Sequence, residues 1–148
     1  MADFSTTGVH HLRLTVTDLE RSRAFYRDLL GFQIIAESPG SPDDPAVRSD
    51  PHQLYGGCVF NANGTILGLR PVAEPGDAFV SERVGLDHLS FAVPSVAELE
   101  AAAERLAADG VTHGEITELA GFGIAILSFS DPDGIHLELT APLETDQT

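Results

Sequence analysis

The residues best suited to chemistry in this chain are nitrogen and oxygen donors. Cys58 is the only cysteine, so disulfides within the chain and cysteine-based zinc sites are excluded. Three donors fall in a repeated pattern: His11 heading "HLRLTVTD", His88 heading "HLSFAVPS" and Glu138 in "IHLELTA". Two imidazoles and one carboxylate can hold a divalent cation while leaving coordination positions open. An unpaired inward Glu138 would be costly, which favours reading the three together. Arg13 and Arg70 alternate with apolar residues in the first and last strands of the first half, and serve either as ion-pair partners of the abundant acid or as groups that steer an anionic substrate. His136 is either a partner of the ligands, an acid-base group, or a residue bonded to its sheet. His52 and Tyr55 lie in a proline-rich loop and read as surface residues, with closure over a substrate as the alternative. His113 and Cys58 carry no argument beyond their type.

A repeat positions these donors. "HLRLTVTDLERSRAFYRDLLG" lies over "HLSFAVPSVAELEAAAERLAADG", with His11 and His88 separated by 77 residues and the closing Gly31 and Gly110 by 79. "NGTILGLRP" lies over "DGIHLELTAP" at a separation of 70. His11 therefore has a counterpart, whereas His10 corresponds to Asp87, and period-2 alternation turns it to the other face of its strand. Each half reads as β-α-β-β-β. Asp18 and Ser95 are expected N-caps, Ser95 with Glu98 at capping-box spacing. Helices are expected over about 19–30 and from Val96 to about Leu106, each with one apolar stripe. Asn63-Gly64 and Asp133-Gly134 are expected to close hairpins. Leu12, Leu14 and Val16 should pack under a helix, leaving His11, Arg13 and Thr15 on a cavity face. By the same alternation, Ile66, Gly68 and Arg70 face the cavity in the first half, and His88, His136 and Glu138 in the second.

Composition bounds the partners. The chain has 148 residues, 43% of them hydrophobic, with 8 basic and 23 acidic residues and a formal charge of -15. That charge repels phosphate backbones and anionic lipid surfaces, so nucleic acid and membrane are not expected partners. No apolar run reaches the roughly 18 residues of a membrane helix, and Met1 to Thr7 lacks signal-peptide features, so a cytoplasmic location is expected. The stretch "ESPGSPDDPAVRSDPHQLYGG" holds four prolines. A loop of this length reads as disordered or functional, often a lid.

The doubled pattern, with "HHLRLTVTDLERSRAFYRDLLGF" and "DPDGIHLEL", resembles the vicinal oxygen chelate family. That family includes glyoxalase I, methylmalonyl-CoA epimerase, extradiol dioxygenases and bleomycin-type resistance proteins. The resemblance implies an α+β fold: one domain over 1–148, with two βαβββ modules at about 8–72 and 85–142 and a linker at about 71–84. It also implies curved mixed sheets around a metal-binding cavity, with helices outside. The family takes metal ligands from the first and last strand of each module, here His11, Gly68, His88 and Glu138. Glycine offers no side chain, so the four-ligand site of glyoxalase I is incomplete and the remaining set resembles that of extradiol dioxygenases. The resemblance thus implies a divalent metal, Fe(II) first with Mn, Zn or Ni as alternatives, chelating a small substrate through neighbouring oxygens. A glyoxalase-like lyase or isomerase, and a drug- or metabolite-binding resistance protein without catalysis, are the alternatives. A homodimer is expected, because sheet edges left by two modules are commonly covered by a second subunit.

Overall fold

The computed structural model describes residues 3–144. The chain divides into two compact units, the first ending at Asp77 and the second beginning at Ala78. The first unit contains β1 (His11–Thr15), α1 (Leu19–Ala24), β2 (Gln33–Glu37), α2 (Pro45–Arg48), β3 (Cys58–Ala62) and β4 (Thr65–Arg70). The second contains β5 (Leu89–Ala92), α3 (Val96–Ala108), β6 (Thr117–Leu119), β7 (Ile124–Ser130) and β8 (His136–Pro142). Each unit forms one open four-stranded mixed sheet, in the order β1-β4-β3-β2 in the first and β5-β8-β7-β6 in the second. The first strand of each pairs in parallel with the last, and the other pairings are antiparallel. The repeat read from the sequence is thus a repeat of topology. No helix among the described residues is long and apolar enough to cross a membrane.

Alternation sets the faces. Leu14, Val16, Leu67 and Leu69 are buried, and α1 packs on β4. Leu127, Leu137 and Leu139 are buried in the second unit, where α3 packs on β7 and β8 and buries Leu99 and Leu106. Full burial of each such side chain contributes about 1.5–3 kcal/mol. The first helix does not continue regularly to Leu30. After Ala24 it widens into a π-helical turn over Phe25–Leu29, and the Phe32 N–H bonds the Tyr26 carbonyl. This turn carries Tyr26 into the core beside Phe32 and Phe60, at ring separations of 6.4 and 6.1 Å.

The expected caps divide. Asp18 accepts the Arg21 N–H at 3.1 Å. Ser95 is a cap by backbone only, because its side chain makes no capping bond and the Glu98 N–H reaches the Ser95 carbonyl instead. Asn63 and Gly64, both at positive φ, close the β3–β4 hairpin, with Asn61 Oδ1 accepting the Gly64 N–H at 2.7 Å. The β7–β8 connection is longer than a two-residue turn. There the buried Asp131 carboxylate accepts the N–H groups of Asp133 and Ile135, each at 2.9 Å.

The proline-rich loop is ordered and held. Arg48 donates to the carbonyls of Pro42, Pro71 and Val72 at 3.2, 3.1 and 3.0 Å, tying the loop to the end of β4. Gly57 completes the approach, since a Cβ there would stand 1.8 Å from the Leu69 carbonyl oxygen.

Candidate functional site

In the second unit His88, His136 and Glu138 line one cavity of about 280 Å³, together with Asp87, His113 and Ser128. His136 and Glu138 reach it from one face of β8, as alternation requires, and Leu137 between them also lines it. Asp87 Oδ1 lies 2.6 Å from His88 Nδ1. A carboxylate can only accept, so Nδ1 carries the proton and Nε2 is left for another partner. That nitrogen stands 3.9 Å from Glu138 Oε1. The Asp87 hydrogen bond holds the His88 imidazolium above the ordinary histidine range; partial burial opposes it, and the Glu138 charge assists. The half-buried Glu138 is itself oriented, accepting a 3.1 Å bond from the Thr140 hydroxyl, which is bonded in turn to Ser90 Oγ.

Two of the three expected metal ligands are therefore brought together. With bonds of about 2.0–2.2 Å, two donors to one cation stand about 3–3.5 Å apart, so a small side-chain adjustment would let both bind. The carboxylate on the far nitrogen is the arrangement that fixes the tautomer of metal-ligating histidines. His11 belongs to the first unit, on the exposed face of β1, an edge strand as β5 is. Among the described residues, no group of three or more histidine, cysteine, aspartate or glutamate side chains is assembled as a metal site.

The first unit shows a reversal of charge. Arg13 pairs with Gly68 across β1 and β4 in the register position that Ser90 and Glu138 occupy across β5 and β8. Where the second unit has a small residue beside a carboxylate, the first has a guanidinium beside a glycine. The Arg13 Nε lies 3.0 Å from where a Gly68 Cβ would stand. Arg70, at the place of Thr140, packs its guanidinium carbon 3.8 Å from the Tyr55 ring centre, and that of Arg13 lies 5.2 Å from the same ring. Neither arginine has a carboxylate partner among the described residues, and Arg70 Nε is buried without a hydrogen bond. A buried unpaired donor costs about 1–3 kcal/mol.

Four residues gain a place that sequence reasoning did not give them. Tyr55 is half-buried over the arginines rather than a surface residue, while His52 is exposed. It is delivered by a turn in which Leu54 and Tyr55 adopt φ of 53° and 56°, a left-handed backbone that bulky residues adopt at a cost of about 1–3 kcal/mol each. His113 lines the cavity of the second unit and bonds the Gly114 carbonyl through Nδ1 at 2.7 Å, leaving Nε2 free of that bond. Asp87 acts on His88, and the equivalent His10 likewise meets His11 Nδ1, at 2.9 Å. His10 is not turned away by alternation, because β1 begins only at His11. The signal available for Asp87 and His10 was their shared place before the repeated histidine.

The family model described as Glyoxalase/Bleomycin resistance protein/Dioxygenase superfamily matches residues 8–139. Over 135 residues, or 90% of this chain, the sequence is 29% identical to MhqO of Bacillus subtilis, a protein provisionally named a ring-cleaving dioxygenase. The chain spans only 40% of the length of MhqO. It is 30% identical over 134 residues to the uncharacterised YwkD of the same species, covering 89% of this chain and 94% of YwkD. A solved glyoxylase/bleomycin resistance protein/dioxygenase domain from Frankia sp. EAN1pec superposes with a TM-score of 0.71, at 30% identity and 95% coverage of both chains.

Proposed function

Because the chain belongs to the Glyoxalase/Bleomycin resistance protein/Dioxygenase superfamily, we propose that it is a metal-dependent enzyme of the ring-cleaving dioxygenase type, with His11, His88 and Glu138 as ligands and Fe(II) as the favoured metal. The observation that carries this reading is the pair of His88 Nε2 and Glu138 Oε1 at 3.9 Å, with Asp87 on the other nitrogen. A divalent cation held there would supply Lewis acidity toward two neighbouring substrate oxygens and, as iron(II), the redox chemistry that dioxygen needs. The residues of the chain prepare the site. Asp87 fixes the His88 tautomer, and Thr140 with Ser90 fixes the Glu138 carboxylate. His136, which lines the same cavity, is the residue proposed to take a proton from a substrate hydroxyl. Gly68 withholds the fourth ligand, and the Arg13 side chain lies over its place. His11 is proposed as the third ligand because the repeat gives it the place that His88 holds, and a homodimer is proposed as the assembly.

The reading is tested by loading the protein anaerobically with Fe(II), then following oxygen uptake and ring-fission absorbance with a panel of catechols. Uptake with at least one catechol, abolished in Glu138→Ala, is expected. Iron fully bound with no uptake on any catechol would contradict the dioxygenase assignment.

A further inference from the structure

We propose that the exposed face of the first unit is a binding site for the oxyanion group of a small organic acid, held by the guanidinium groups of Arg13 and Arg70 against the ring of Tyr55. The proposal deepens the functional reading by naming the substrate class, and rests on that reading only in taking this face to meet a small molecule.

Charge provides the first support. In a chain with 23 acidic and 8 basic residues, a cation without a carboxylate partner is not short of candidates. Arg23, Arg27 and Arg105 pair with Glu37, Asp28 and Asp109 at 2.7–2.8 Å. Arg13 and Arg70 have no such partner among the described residues, yet they share one aromatic ring at 5.2 and 3.8 Å. Two like charges gathered on one ring repel each other until an anion lies between them.

Construction provides the second. The ring that collects them sits on a left-handed backbone at Tyr55, at the end of a loop clamped by Arg48 and seated by Gly57. Arg70 Nε is buried without an acceptor. The position between the arginines is Gly68, whose counterpart in the second unit is Glu138. A carboxylate at 68 would neutralise the pair from within; with glycine there the Arg13 side chain lies over the position and the pair has no internal anion. Planar guanidinium groups present paired donors that match carboxylate and phosphonate oxygens.

The test uses benzoate and its neutral isostere benzamide, titrated into chelator-treated protein while the arginine Nε–H resonances are followed by NMR. Benzoate should bind at least about tenfold more tightly than benzamide, and Arg13→Met and Arg70→Met should each weaken benzoate about tenfold. Gly68→Glu keeps both arginines and should remove benzoate binding by supplying the anion internally. The contact at 3.0 Å is with the flexible Arg13 side chain, which can move aside. Equal binding of benzoate and benzamide, or benzoate binding undiminished in Gly68→Glu with its fold intact by circular dichroism, overturns the proposal. No metal is needed for these measurements, so the two readings fail separately. Arginine-dependent benzoate binding beside full metal retention in Glu138→Ala upholds the anion site and overturns the metal reading; the reverse pair of results does the opposite.

Discussion

Asp87 holds the Nδ1 edge of His88 at 2.6 Å, and this bond decides which nitrogen is left to face Glu138. It also sets how the ring titrates. The folded His88 is raised above the ordinary histidine value of about 6.5, mainly by that bond. A raised group adds stability that is present in full below its unfolded value and is lost as pH rises through its folded value. With the side chain 46% exposed, the stability at stake is small. The titration itself is the observable. In metal-free protein the His88 Cε1–H midpoint should lie above 6.5, and Asp87→Asn should lower it. Metal affinity in the unmodified protein should fall as pH drops below that midpoint, because the proton and the cation compete for Nε2. An unchanged midpoint in Asp87→Asn would show that the bond is not formed in solution.

The loop from 38 to 57 should behave as a clamped segment and not as a lid. Arg48→Met removes three bonds to the carbonyls of Pro42, Pro71 and Val72, at an expected cost of about 2 kcal/mol. Limited proteolysis should then cut within 38–57 well before the sheets open. Equal cleavage rates in the parent and the variant would mean that the clamp does not hold the loop.

Gly57→Ala should be among the most damaging single changes. The added Cβ would stand 1.8 Å from the Leu69 carbonyl oxygen, so β4 or the loop must move, at about 3 kcal/mol or more in urea denaturation. The adjacent Cys58 reports it. Burial pushes that thiol up to about 11, so it should resist iodoacetamide at pH 8 in the parent and react in the variant. Parent-like stability together with a protected thiol would contradict the packing described.

What was legible in the sequence followed from periodicity. The alternation of Leu14 and Val16 with Arg13 and Thr15, and of Leu137 and Leu139 with His136 and Glu138, assigns both faces correctly because a strand has only two. The family and the like strand order of the two sheets follow from the repeat of these patterns. What was not legible depends on non-periodic backbone. Nothing in "QLYGG" marks Leu54 and Tyr55 as left-handed, since the glycines that commonly take that conformation come after them. His113 enters the cavity through a single bridge to Phe129 rather than a strand, so no alternation could aim it. Ser95 had the right type and spacing for a capping box, yet its side chain makes no cap.

The central claim, that His11, His88 and Glu138 hold one divalent cation, is tested most directly by metal content. Protein purified without chelator, loaded with Fe(II) under argon and dialysed, should retain near-stoichiometric metal. Under the same treatment His11→Ala and Glu138→Ala should each lose most of it, with affinity at least about tenfold weaker. Full occupancy in Glu138→Ala would contradict the account, because the carboxylate that faces His88 would then not be a ligand.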